Sequence, residues 1–281
     1  MRPETRQTLT IGIFLSVLCV GLAAVAPAFL TRENLLNVLL QSATNCVLAV
    51  GMTFVIITAG IDLSVGSVLA LSSVVLGAVV LKADAGVATG LVCAAAAGTL
   101  CGLLQGAVIV RWAVPPFVCT LGMMSAARGL ALILTKGQTL HGLPSGAVWL
   151  GHGKLMDAVP VPAVLSLVAV AVAHVVLTQT AFGRQLFAVG ANEQAARLAG
   201  VRVGAVKLAA YVICGFAAGL AGIIVAGRTG SASPIVAKGD ELDAIAAAVI
   251  GGNSLMGGRG TVIGTLIGAL LIQVLRTGLN L

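Results

Sequence analysis

Charge is scarce in this chain. Lys, Arg, Asp and Glu make up 9% of its 281 residues, and the mean hydropathy is +1.10, whereas a soluble domain carries about 25% charged residues. So little charged surface cannot keep a protein of this length in water. The apolar residues come in repeated long runs, the pattern expected where lipid is the solvent. The chain therefore reads as an all-α, polytopic helical membrane protein. Other absences narrow the chemistry. No G-x-x-x-x-G-K-[ST] phosphate loop occurs, so the chain is not expected to hydrolyse ATP. Cys19, Cys46, Cys93, Cys101, Cys119 and Cys214 lie in apolar runs without a C-x-x-C spacing. They read as small buried hydrophobes, and no metal site is assigned. His141, His152 and His174 have no nucleophile motif beside them, so no catalytic residue is assigned.

The net charge of +7 is spread through the connections between apolar runs. That distribution suits membrane topology better than nucleic-acid contact. The start of the chain has a basic head and an A-V-A that imitates a signal-peptidase site. Its uncharged run, residues 9–30, exceeds the ~7–15 residues of a signal core and reads as a retained helix. Further spans are expected at 35–59, 65–81, 87–110, 117–134, 159–177 and 208–226, with shorter pieces at 244–250 and 261–275. That makes about nine membrane segments, the short ones being broken helices shielded by neighbours. Arg184, Arg197, Arg202 and Lys207 place 178–207 in the cytoplasm, and Arg2 and Arg6 place the N-terminus there. Residues 135–158 and 227–243, with Asp240, Glu241 and Asp243, then face outward. Trp112, Trp149 and Tyr211 lie near span ends, where amphipathic rings favour the headgroup zone.

Residues 58–67 read TAGIDLSVGS, and residues 250–258 read IGGNSLMGG. Gly60, Leu63 and Gly66 align with Gly252, Leu255 and Gly258, so the two breaks suggest an internal repeat, parallel or inverted. Paired Gly-interrupted segments point to a central pathway, with Gly60, Asp62, Ser64, Gly66, Gly252, Asn253 and Gly258 as candidates. Asp62 has two readings. It can cap the helix that starts near Leu63, or it can hold a proton or cation, as intramembrane acids often do. Asn45, one helical turn from Gln41, with Gln105 and Arg128, could line a hydrophilic route. Interhelical hydrogen bonding and, for Arg128, snorkelling are the alternatives. In 178–207, Asn192 can cap a short helix, Glu193 complements its dipole and Gly200 can end it. Such a helix is a plain connector or a piece that fits a partner's groove.

Four stretches, GIDLSVGSVLAL, VPPFVCTLGMMSAARGLALILTKGQ, FAVGANEQAARLAGVRV and ELDAIAAAVIGGNSLMGGRGTVIGTLIGALL, make the chain resemble the permease subunit of ribose-type and autoinducer-2-type ABC importers. The resemblance runs from about Asn34 to the C-terminus. It implies one permease domain over 1–281 that forms the pathway for a small sugar in the bacterial inner membrane. It also implies two such membrane subunits, cytoplasmic ATPases that use ATP and Mg, and a periplasmic sugar-binding protein. This chain itself would then bind no cofactor. Glu193, Ala195, Ala196 and Gly200 fit the E-A-A…G pattern of the helix that docks on the ATPase. A last helix beyond residues 278–281 is also implied, which this sequence does not include. The rival expectation is an ion- or proton-coupled secondary transporter that uses Asp62.

Overall fold

Lipid offers the backbone no hydrogen bonds, so a chain this apolar must satisfy its amides within helices. The computed structural model describes residues 3–156 and 158–279; Arg2 and the terminal Asn280 and Leu281 lie outside them. Twelve α-helices follow in order among the described residues. They are α1 (Pro3–Val25), α2 (Arg32–Ile57), α3 (Val65–Gly77), α4 (Val87–Trp112), α5 (Pro116–Thr135) and α6 (Ser145–His152). Then come α7 (Val161–Gln179), α8 (Ala181–Ala191), α9 (Glu193–Leu198), α10 (Val203–Thr229), α11 (Asp240–Ile250) and α12 (Val262–Leu279). Eight are long and apolar enough to cross a membrane, α3 with the π-turn Ala78–Lys82 that extends it. The protein is a multi-pass, all-α membrane protein.

Local chemistry sets the boundaries. The Thr31 hydroxyl accepts from Asn34 N–H to start α2, and Pro115 and Pro116 open α5 after Ala113 ends α4 in the left-handed region. The first span stops at Val25, short of the expected 30, because Pro27 begins a separate 3-10 turn, Pro27–Leu30. The span expected from 159 starts at Val161, since Val159 pairs in a two-residue ladder with Leu155. The span expected at 208–226 lengthens to α10.

α2 and α10 form the buried centre, with α3, α4, α11 and α12 around them. α4 and α10 cross at backbone contact: a Cβ added at Gly98 would lie 2.8 Å from the Gly219 Cα, and one at Gly215 would lie 2.9 Å from the Gly102 Cα. Glycines four apart let the helices approach this closely, where dispersion and packing supply the attraction in lipid. Tyr211 is buried beside this crossing, against Gly60 and Gly106, so it is not an interfacial anchor. Trp112, at the end of α4, is exposed.

The segment after α10 departs from the outward-facing loop expected at 227–243. Ser231 and Ala232 pair with His141 and Leu140. The chain then runs inward until Ala237 and Glu241 lie against Gly66, in the first turn of α3. α11 is therefore a half-helix that starts inside the bundle. Its acidic start is met by basic side chains: Asp243 pairs with Arg276, and Asp240 is attracted to Arg228 and Arg276. α2 and α11 both run toward the end of the bundle that carries α9, break there, and return as α3 and α12. The two broken pairs thus have the same sense, the arrangement of a parallel repeat.

Candidate functional site

The first break begins where α2 runs out at Ile57. Thr58 Oγ1 donates to the Val55 carbonyl (2.8 Å), Gly60 N–H also reaches Val55 (3.1 Å), and Ala59 takes a positive φ of 60°. α3 starts at Val65 with Ser64 as its cap position, so Asp62 stands before the cap rather than in it. Its carboxylate accepts from Ser64 N–H (2.9 Å), the Ser64 hydroxyl (2.6 Å) and Gln105 Nε2 (2.5 Å). Asp62 is 0% exposed and Ser64 and Gln105 are buried with it. This acid anchors the first break to α4 through neutral donors. Gly66 has no room for a side chain, because a Cβ there would strike the Glu241 carboxylate and lie 2.6 Å from the Ala237 carbonyl.

The second break is organised by Asn253. Its Oδ1 accepts from Thr261 N–H (2.8 Å), and its Nδ2 donates to the Ala248 carbonyl and to Thr265 Oγ1 (both 2.7 Å). Thr265 Oγ1 in turn lies 2.8 Å from Thr53 Oγ1, which ties α12 to α2. Gly252, Gly257 and Gly258 all take positive φ (96°, 81° and 72°), a conformation other residues adopt at a cost.

The two breaks meet. Gly258 N–H donates to the Ile57 carbonyl (2.9 Å). Against that contact sits Gly190, near the end of α8: a Cβ there would fall onto the Ile57 carbonyl oxygen and close to Gly258 N. A Cβ at Gly258 would in turn lie 2.7 Å from the Ala191 Cα. Three chain segments therefore touch backbone to backbone immediately before α9.

α9 follows from its caps. Asn192 Oδ1 accepts from Ala195 N–H (2.9 Å), and Gly200, at φ 81°, turns the chain out after Val201 N–H closes on the Ala196 carbonyl (3.0 Å). Glu193 bonds Lys207 of α10 (2.5 Å) and Arg197 (3.2 Å). The E-A-A…G residues do not share one face: Ala196 is buried against the protein's own core, while Ala195 and Gly200 are exposed. The exposed apolar tip is Leu198, at 90%. The hydrogen bond from Lys207 holds the Glu193 carboxyl below the usual carboxylate range. Because the folded-state value is depressed, this contribution is present above the unfolded value of about 4.3 and is lost as pH falls through the folded one. The Glu193 side chain is 42% exposed, so solvent screens the pair. Glu193→Gln is expected to cost under about 1 kcal/mol and to flatten the acid side of a thermal-stability profile. An unchanged profile would contradict the role given to the pair.

A cavity of about 790 Å³ lies between α9, the α4–α5 turn and the first break, lined by Thr58, Ala59, Gly60, Glu193, Lys207 and Tyr211 among others. Of the sequence candidates, Gly60 and Glu193 reach it, whereas Asp62, Ser64, Gln105 and Asn253 are turned into packing contacts. Arg128 donates to the carbonyls of Pro234 and Val236 (both 2.8 Å) and so holds the inward-running segment. Asn45 is half-buried, and its Oδ1 has no hydrogen-bond partner among the described residues; neighbouring Gln41 accepts from Gln273 (3.1 Å). Gly190 and Leu198 were not among the sequence candidates. Leu198 lies inside the recognised helix, and Gly190 lies within FAVGANEQAARLAGVRV as the bound before that helix, but nothing in the sequence marks it as a contact.

The sequence model of the family described as the branched-chain amino acid transport system permease component matches residues 34–281. The ribose import permease protein RbsC of Escherichia coli (strain K12) is 42% identical over 274 residues, which cover 96% of this chain and 84% of that protein. Its namesake from Bacillus subtilis (strain 168) is 44% identical with the same coverage. The fructose import permease protein FrcC of Rhizobium meliloti is 35% identical over 260 residues, covering 90% of this chain and 72% of that protein. No solved structure matches the chain.

Proposed function

The chain belongs to the permease-component family described for branched-chain amino acid transport systems, and from that premise we propose what it carries and how it is driven. It is the membrane subunit of an ATP-binding-cassette sugar importer. Its cargo is a monosaccharide of the ribose type, since the relatives at 42% and 44% identity are named for ribose rather than for an amino acid. A periplasmic binding protein delivers that sugar, a second permease subunit completes the pathway, and a separate cytoplasmic ATPase uses the ATP and Mg. The membrane is the bacterial inner membrane, with the N-terminus and the α9 end in the cytoplasm. The connection from α7 to α10 at that end carries Arg184, Arg197, Arg202 and Lys207. Such a basic bias marks the cytoplasmic side.

The observation that carries the mechanism is the junction of Gly190, Ile57 and Gly258 just before α9. ATP binding draws the ATPases together and α9 moves with them. Gly190 then passes the displacement to the end of α2 and to the second break, so that α3, α11 and α12 tilt around the pathway. Glu193, Ala195, Ala196 and Gly200 build the docking helix, with Leu198 as its contact. Gly60, Gly66, Gly252, Asn253 and Gly258 shape the pivots, and Asp62, Ser64 and Gln105 anchor the first of them. Arg128 braces the inward-running segment, and Asn45 offers a polar group within the bundle. Asp62 is not an ion site on this reading, because neutral donors occupy its carboxylate and the residue is fully buried.

Cargo is tested with proteoliposomes that hold the whole transporter and are supplied with its binding protein. Labelled ribose should enter saturably and be displaced by unlabelled ribose but not by leucine. Uptake of leucine without ribose would overturn the assignment.

A further inference from the structure

Lipid-facing helices need no cover for their apolar side chains, but the connections beyond helix ends do. At the α9 end two such side chains stand out: Leu198 in the last turn of α9, and Met256 in the α11–α12 connection, 85% exposed. Residues 254–259, which carry Met256, are fixed in shape. Ser254 N–H donates to the Arg259 carbonyl (3.0 Å), Gly257 N–H to the Ser254 carbonyl (2.9 Å) and Gly258 N–H to Ile57. Left-handed Gly257 and Gly258 complete the turn. A rigid turn that holds a thioether in water gains nothing unless something covers it, since exposed apolar groups at fixed positions are features of contact surfaces.

A groove of about 370 Å³ separates this turn from the approach to α9, with Gly190 and Ala191 on one wall and Met256 and Arg259 on the other. We propose that residues 254–259 form a second foot on the ATPase, beside α9. The occupant follows from continuity, because a partner that covers the approach to α9 also overhangs the groove and meets Met256. It follows also from charge: Arg259 is exposed and has no ion pair among the described residues, and Arg197 beside Leu198 is satisfied only by exposed Glu193. The complementary surface is an apolar ridge with an acidic rim. The inference rests on the reading of α9 as the ATPase contact and extends it, giving the α11–α12 break a direct contact with the power source besides the route that both breaks share through Gly190.

The test places photo-reactive benzoylphenylalanine at position 256, and separately at position 198, in the whole transporter in membranes. Irradiation should yield an adduct with the ATPase from both positions. In parallel, Met256→Asp should lower the ATPase retained on purification about tenfold, with the thermal midpoint of the isolated permease unchanged. An ATPase adduct from 198, with only lipid, the second permease or nothing captured from 256, overturns the second foot and leaves the α9 reading standing. No ATPase adduct from either position removes both.

Discussion

Gly190→Val should uncouple the transporter. The ATPase should still co-purify and hydrolyse ATP, while sugar moved per ATP falls at least tenfold. The reason is geometric: a Cβ at 190 cannot coexist with the Ile57 carbonyl and Gly258 N in their present positions. The obstructing atoms are backbone, so neither break can yield without moving its helix. Overpacking of this kind costs about 1–3 kcal/mol. Where that cost falls on the closed junction alone, each 1.4 kcal/mol shifts the balance of states about tenfold. α9 and its cap lie outside the collision, so docking should survive. Normal uptake per ATP in Gly190→Val would remove the junction from the mechanism. A general folding defect would show as loss of the ATPase as well, so the ratio of uptake to hydrolysis isolates transmission.

Asp62→Ala is the other substitution with a large expected effect, and it acts on stability. Removing the carboxylate strands Ser64 N–H and Gln105 Nε2–H in a site sealed from water. Each buried donor left unpaired costs about 1–3 kcal/mol, so roughly 4 kcal/mol is expected in all. Asp62→Asn keeps one acceptor for Ser64 N–H, and a flip of the Gln105 amide repairs the second bond, so its cost should be about 1 kcal/mol. Thermal unfolding in detergent measures both, and uptake should follow stability. An ion-coupled transporter predicts the reverse order of damage: Asp62→Asn would fold well yet lose transport completely, because the charge itself would be the working part.

Much of this architecture was legible in the sequence because lipid imposes a length. The nine apolar segments, the shortness of 244–250 and the break after Ile57 follow from hydropathy and glycine placement, and the cap of α9 follows from the side-chain chemistry of Asn192. The depth of a connection was not legible. Asp240, Glu241 and Asp243 read as a water-facing loop, yet they begin a half-helix within the bundle, where Asp243 pairs with Arg276, a contact that composition alone does not reveal. The parallel sense of the two breaks likewise needed the contact between Gly258 and Ile57, a pairing across some 200 positions of sequence. Gly190 is the plainest miss. It looks like any helix-terminal glycine, and only the arrival of two distant carbonyl and amide groups makes it indispensable. The four-residue glycine spacings of α4 and α10 stand in the sequence but were not singled out there, and they set a backbone-contact crossing in the molecule's centre.

Uptake of labelled ribose into proteoliposomes tests the central claim most directly, with the permease reconstituted alone or with its ATPase and binding protein. The account predicts no uptake by the permease alone at any proton or sodium gradient. With both partners present, uptake should require hydrolysable ATP and should persist when an uncoupler collapses the gradient. Gradient-driven accumulation by the permease without an ATPase would contradict it.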